Sequence, residues 1–226
     1  MGKRIIEARK LVESNKLYNL KEAVGVLKKA APAKFDESID IAMKLNVNSK
    51  SLSQPIRGAV VLPKGTGKKI RVAVFCKGEN VSKAKEAGAD VVGDKDLVDK
   101  IREGFLDFDV CVATPDVMKD IAILGKVLGP RGLMPSPKAG TVTPDVVKAI
   151  NDVKAGKVEF KMDKLGCITK SVGRFSFSEE DIYQNLKTFI NAVVGARPGD
   201  VKGKYIKSLA ISSTMGPGVR IDTSAY

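Results

Sequence analysis

Ile39-Asp40-Ile41-Ala42-Met43-Lys44-Leu45-Asn46-Val47 sets a large apolar residue at every odd position and Asp, Ala, Lys or Asn between them. A period of two over nine residues predicts a β-strand with one buried face and one wet face. Ile70-Arg-Val-Ala-Val-Phe-Cys76 reads differently. It is apolar on both faces, as a strand covered by helices on both sides should be. These two kinds of strand imply two architectures in one chain.

Working outward from the first strand, Asn19-Leu-Lys-Glu22 has the Asn-x-x-Glu form of a helix cap. Behind it Leu20, Ala23, Val24, Leu27 and Ala30 share a helical face, and Pro32 should end the run. A second strand is predicted over Arg57–Leu62, before the Pro63-Lys-Gly-Thr-Gly-Lys-Lys69 punctuation. Strand periodicity returns at Lys157–Met162, Cys167–Val172 and Arg174–Phe177. Ser178-Glu-Glu-Asp181 should cap a long helix with the stripe Ile182, Leu186, Phe189, Ile190, Val193 and Val194. Strands at Tyr205–Ser213 and Val219–Ile221 then flank a break at Thr214–Gly218.

Between these flanks short apolar strands alternate with helices. Helices are expected around Ser82–Ala87 and Lys95–Glu103, stopped by Gly88 and Gly104, and strands at Asp90–Gly93 and Asp109–Ala113. Thr114-Pro115-Asp116 and Thr143-Pro144-Asp145 each place a cap, an N1 proline and an acid at a helix start. The alternation argues for a small parallel α/β unit. One economical arrangement is a discontinuous α+β domain of residues 1–66 plus 158–226, helices on an antiparallel sheet, carrying an inserted α/β domain of residues 67–157. Hinges are expected near Gly65–Gly67 and Gly156.

The 226 residues carry 39 Lys and Arg against 26 Asp and Glu, a net charge of +13. Residues 1–66 hold 13 basic and 6 acidic residues and 158–226 hold 10 and 7, whereas 67–157 hold 16 and 13. The flanks are therefore the expected polyanion face. There is no histidine, which excludes Ser-His-Asp, Cys-His and His-ligated metal chemistry. Tryptophan is absent and aromatics are 5%, so extensive base stacking is not expected. Cys76, Cys111 and Cys167 stand singly in apolar runs and read as reduced core thiols. No signal peptide or membrane anchor is expected, and no metal or cofactor.

Few short motifs carry chemistry. Gly65-Thr-Gly-Lys68 looks like the end of a P-loop, but Leu62 and Lys69 stand where Gly and Ser or Thr are needed, so it reads as a turn. Asp107/Asp109 and Glu179/Glu180 read as a strand edge and a helix-start charge. Gly129-Pro-Arg-Gly-Leu-Met-Pro-Ser-Pro-Lys-Ala-Gly-Thr141 should be a rigid loop, either a connector or a surface presenting Arg131 and Lys138 to phosphates. Thr214-Met-Gly-Pro-Gly218 would let a backbone approach a ligand closely, with Ser212, Ser213 and Thr214 supplying hydroxyls.

Gly129–Thr143 and Ser212–Gly218 closely resemble the signatures of the bacterial large ribosomal subunit protein one family, the protein of the mobile rRNA stalk. The likeness extends to Lys34-Phe-Asp-Glu37, Gln54 with Arg57-Gly58, Ala87-Gly-Ala-Asp90, Ala113-Thr-Pro-Asp-Val-Met118 and Val158-Glu-Phe160. Ser136 departs from the family's usual Asn, Lys64 from a common His, and Cys167–Val172 from a run that usually holds His and Pro.

The resemblance implies a discontinuous α+β domain with an inserted Rossmann-like domain, and a non-catalytic protein of the cytoplasmic large ribosomal subunit, a monomer when free. Its implied partners are large-subunit rRNA, exit-site tRNA whose release it assists, and its own operon mRNA, whose translation it represses; no membrane is involved. The implied rRNA contacts are Lys34, Phe35, Asp163, Lys164, Ser208, Thr214, Met215 and Gly216, with Arg131 and Lys138 as a tRNA or secondary RNA contact. The rival reading is an α/β enzyme binding a small phosphorylated ligand in the middle domain.

Overall fold

The computed structural model describes residues 3–13, 16–30, 33–47, 56–199, 201, 203–224 and 226. Pro32 and Gln54 lie outside them. In chain order the elements begin with α1 (Lys3–Lys10), α2 (Leu20–Ala30), β1 (Ser38–Leu45), β2 (Arg57–Val61), β3 (Val72–Phe75) and α3 (Asn80–Glu86). They continue with β4 (Val91–Gly93), α4 (Lys95–Arg102), β5 (Val110–Ala113), α5 (Met118–Ala122), α6 (Gly125–Arg131) and α7 (Val146–Lys154). The last are β6 (Lys157–Lys161), β7 (Cys167–Arg174), α8 (Glu179–Gly195), β8 (Ile206–Ser213) and β9 (Val219–Ile221). These helices and mixed sheets form an α+β protein of two compact units, Met1–Gly67 with Val158–Tyr226, and Lys68–Lys157.

In the first unit a four-stranded sheet of order β7-β1-β8-β9 is antiparallel throughout. The odd-numbered side chains of β1 (Ile39, Ile41, Met43, Leu45) are buried, and the stripes of α2 and α8 pack in the same core. The Ser178 hydroxyl caps α8 by accepting the Asp181 N–H at 3.1 Å, with three acids in the first turn. That hydroxyl and then Lys64 hold the Asp181 carboxyl below its ordinary range. Asn185, fully buried on α8, donates to the carbonyls of Gly65 and Val172 at 2.9 Å and accepts the Lys64 N–H at 3.1 Å. The Gly65-Thr-Gly turn is thus pinned to the core by one amide, with φ of 66° at Gly65 and 70° at Gly67.

The second unit is a three-stranded parallel sheet of order β4-β3-β5. Ala73, Phe75, Cys111 and Ala113 pack with α4, α5 and α6 on one face; Val72, Val74, Cys76 and Val112 pack with α3 and α7 on the other. Burial pushes the thiols of Cys76 and Cys111 above the ordinary range, which makes both poor nucleophiles.

Four local expectations need correction. Cys167–Val172 and Arg174–Phe177 are not two strands: β7 runs through Gly173 on a register shift opposite Ile39/Asp40, and Phe175–Phe177 is a turn held by Lys28. Thr143 does not cap α7; Asp145 does, accepting the Lys148 N–H at 3.1 Å, while Thr143 accepts the Asp145 N–H. Thr114 makes no side-chain cap, and Pro115–Val117 is a single 3₁₀ turn. Gly129, Pro130 and Arg131 belong to the last turn of α6, which Gly132 closes at φ 71°. Helix α1 has no counterpart in the sequence reading.

The small β2–β6 sheet shows why Gly58 carries no side chain. A Cβ there would lie 2.5 Å from Phe160 Cζ. Phe160 cannot withdraw, because it is buried edge-on against Phe189 with ring centroids 5.7 Å apart. Gly58→Ala should therefore destabilise the protein by about 1–3 kcal/mol through overpacking, read as a lower urea midpoint at unchanged slope.

Candidate nucleic-acid interface

The implied rRNA contacts all fall in the first unit, and its sheet sorts them into two groups. Because β1 is antiparallel to β7 and β8, Ser38, Arg174 and Ser213 share one end, and Leu45, Cys167 and Ile206 share the other. Lys34, Phe35, Thr214, Met215 and Gly216 gather at the first end. Asp163, Lys164 and Ser208 gather at the second, roughly 20 Å away at about 3.4 Å per strand residue.

At the first end the 33–37 and 214–216 loops are tied together. Thr214 donates its N–H to the Ser38 carbonyl at 3.1 Å, and its hydroxyl accepts the Ser38 N–H at 3.0 Å. Glu37, only 1% exposed, accepts the Ala33 N–H on Oε1 and the Met215 N–H on Oε2, both at 3.0 Å. Asp36 braces the neighbouring turn, accepting the Ser176 N–H at 2.9 Å and its hydroxyl at 3.1 Å. The result presents Phe35 (55% exposed) and Met215 (50% exposed) as two apolar side chains, with Lys34 exposed beside Phe35 in the chain.

Two hydroxyls read as RNA donors are not presented to a ligand. Ser213 points into the core side and is buried, so it cannot reach a ligand. The Thr214 hydroxyl lies 3.3 Å from the Ser38 carbonyl, to which it donates, so its first task is to hold the loop on β1. Gly216 closes over Ser213: a Cβ at residue 216 would overlap Ser213 Oγ.

At the second end Asp163 builds a tight turn. Its Oδ1 accepts the N–H groups of Leu165 at 2.8 Å and Cys167 at 2.7 Å, and Gly166 takes a φ of 79°. Lys44 donates to the Leu165 carbonyl, and the Leu45 N–H bonds Gly166 at 2.8 Å, fixing the turn to β1. Lys164 and Leu165 are left exposed on it, and exposed Ser208 stands opposite Lys44.

The wet face of the sheet joins the two ends. Read across the strands, its rows are Ser171–Asp40–Ser212, Thr169–Ala42–Ala210–Arg220 and Cys167–Lys44–Ser208. Small and hydroxyl-bearing side chains dominate, so the face is low. Among the described residues Lys34, Lys164, Lys207 and Arg220 are exposed and take part in no salt bridge, unlike Lys64 with Asp181 at 3.1 Å. Periodicity marked this face as wet without distinguishing its role. Lys44, Ala42 and Ala210 were missed because only the register places them between the two loop clusters, and Glu37 because only its long-range bond to Met215 ties it into the first cluster.

In the second unit Arg131 and Lys138 are exposed on one segment whose return is closed by the Ser136 N–H to Thr141 Oγ1 at 2.8 Å and by the Thr143 N–H to Ala113. The Asp107 and Asp109 carboxylates both hold Arg71 and form no catalytic pair. A groove of about 350 Å³ is lined by Asn80, Lys83, Pro144, Asp145, Val146 and Val147. Neither Arg131 nor Lys138 lines it, and Lys83 lies 3.9 Å from Glu79. Among the described residues no group of His, Cys, Asp or Glu could hold a metal, and no helix is long and apolar enough to cross a membrane.

A family model described as the ribosomal protein L1p/L10e family matches residues 27–217, a span that holds every candidate residue from Lys34 to Gly216. The chain is 53% identical over 225 residues to the large ribosomal subunit protein uL1 of Neisseria gonorrhoeae (strain NCCP11945), covering 100% of this chain and 97% of that protein. It is 52% identical over 225 residues to the protein of the same name from Neisseria meningitidis serogroup C (strain 053442), with the same coverage.

The contact between Gly216 and Ser213 gives a test of the loop that needs no ligand. Gly216→Ala should destabilise the protein by about 1–3 kcal/mol as the loop is forced off β8. Ser213 Oγ has no hydrogen-bond partner, so Ser213→Ala in the same chain should restore most of that loss. A double-mutant cycle by urea denaturation checks the coupling.

Proposed function

The chain belongs to the ribosomal protein L1p/L10e family, whose members are ribosomal proteins and not enzymes, and from that premise we propose that it serves in the cytoplasmic large ribosomal subunit as a structural protein binding large-subunit rRNA at the mobile stalk. The observation that carries this reading is the low, cation-fringed sheet face that connects the Thr214–Gly216 loop with the Asp163–Gly166 turn. Structured RNA offers phosphates, 2′-hydroxyls and a shallow minor groove, and a low face can approach all three. Lys34, Phe35, Lys164, Ser208, Thr214, Met215 and Gly216 are its contacting residues, and Asp163 shapes the turn that carries Lys164.

Under this reading the Met1–Gly67 and Val158–Tyr226 segments form one discontinuous rRNA-binding domain. Residues 68–157 form an inserted Rossmann-like domain; the parallel strand order and the helices on both faces support it. The net charge of +7 on residues 1–66 and +3 on 158–226 places most of the basicity with the first domain. Arg131 and Lys138 on the second are assigned to exit-site tRNA, which the protein helps to release. Repression of its own operon mRNA uses the rRNA face, because residues 67–157 carry only +3 and give a second RNA no comparable surface.

Binding to a stalk rRNA fragment and to random RNA, titrated over salt, tests the proposal. The rRNA fragment should bind more tightly, and log K should fall with log salt by somewhat under one unit per phosphate contact. Lys34→Ala and Lys164→Ala should each reduce that slope by about one. Ala42→Leu puts bulk on the open face at an exposed position, so stability should move by less than about 0.5 kcal/mol while rRNA affinity falls roughly tenfold or more. Message RNA should compete with the rRNA fragment. Equal affinity for random RNA would refute the assignment.

A further inference from the structure

We infer that Glu37 is a positioning residue for RNA recognition, which holds the 33–37 and 214–216 loops in their binding arrangement before RNA arrives; this rests on the rRNA-binding reading above. Glu37 itself is no contact. It is 1% exposed, and each carboxylate oxygen already accepts a backbone N–H, Oε1 from Ala33 and Oε2 from Met215, both at 3.0 Å. Its own carbonyl accepts the Phe175 N–H at 2.8 Å, so three chain segments converge on one residue. Two of them display the exposed apolar side chains of the site, Phe35 and Met215.

A buried negative charge beside a polyanion-binding face is unfavourable unless something offsets it. Here two N–H dipoles face the two oxygens, and the geometry they enforce is the gain. Only a carboxylate serves both donors. A glutamine in the same place has one acceptor oxygen, and its NH₂ would meet the second N–H donor to donor. Without the clip the loops would sample other arrangements, and RNA would find only a fraction of molecules competent. Apparent affinity falls by that fraction. The loss sits in the association rate, because RNA bound to Phe35 and Met215 restores the arrangement.

Amide hydrogen exchange on the RNA-free wild-type protein is the first measurement. The Ala33 and Met215 amides should exchange at least roughly tenfold more slowly than unstructured amides, although Met215 is half exposed; exchange at the unstructured rate overturns the clip, whatever happens with RNA. Glu37→Gln and Glu37→Ala are then compared with wild type for association with and dissociation from the stalk rRNA fragment, circular dichroism reporting their fold. The expected result is an association rate roughly tenfold or more slower at a dissociation rate changed less than about twofold. Unchanged rates in folded variants, or a faster dissociation alone, would overturn the positioning role. If the variants do not fold, the wild-type exchange rates decide. If wild type binds the fragment no better than random RNA, the functional reading falls, and the exchange rates still judge the clip by themselves.

Discussion

Both hydrogen-bonding edges of β1 are completed by strands from the far end of the chain, β7 on one side and β8 on the other. Without them, two rows of backbone groups and the side chains of Ile39, Ile41, Met43 and Leu45 would stand in water. Among the described residues the first segment therefore holds no sheet of its own, and the chain between Val61 and Lys157 must leave and return. A detour of that length is tolerable when it folds by itself, and the β4-β3-β5 unit does bury both of its faces. Pairing across such sequence distances must close a long loop before the ladder bonds reward it, which favours late assembly of β1 between its two partners.

The same dependence explains the acids in a basic protein's candidate RNA loops. Where a strand ends and no ladder continues, backbone N–H groups must find side-chain acceptors. Asp36, Glu37 and Asp163 are those acceptors: Asp36 takes the Ser176 N–H, Glu37 those of Ala33 and Met215, and Asp163 those of Leu165 and Cys167. Carboxylates suit the task because a charged acceptor bonds N–H groups more strongly than a neutral one. Their presence in the loops reflects loop shape, and the cations beside them, Lys34 and Lys164, stay exposed.

Periodicity made β1 legible at once, because one face of its sheet is buried and the other is not. The doubly buried β3 and β5 were legible for the converse reason. β7 was misread because Gly173 breaks the alternation while the ladder continues past it on a register shift, a tertiary effect with no local signature. Asp145 was overlooked as a cap because Thr143-Pro144 mimics one two residues earlier. The candidate residues themselves came from motif likeness. Their division into two ends, the burial of Ser213, the internal use of the Thr214 hydroxyl and the clip at Glu37 all depend on register and long-range contacts, to which a linear reading has no access.

If the wet face is the proposed rRNA-binding surface, its composition bears on what kind of RNA it would meet. Splayed single-stranded bases are held by stacking, and stacking needs aromatic rings along the path. Phe35 is the exposed aromatic at the loop end, and the rows between the ends carry Ala42, Ala210, Ser171, Ser212, Thr169 and Ser208 instead. Side chains this short let the sheet backbone come within direct reach of a ligand, and their hydroxyls can donate or accept as a 2′-hydroxyl or a phosphate oxygen requires. A face about 20 Å long and four strands wide, at about 4.8 Å per strand, matches a folded RNA surface better than an extended strand. Under the proposed rRNA-binding role, such a face with hydrogen-bonded loops at both ends would select its partner by whether the RNA is already folded to fit, which is recognition by shape.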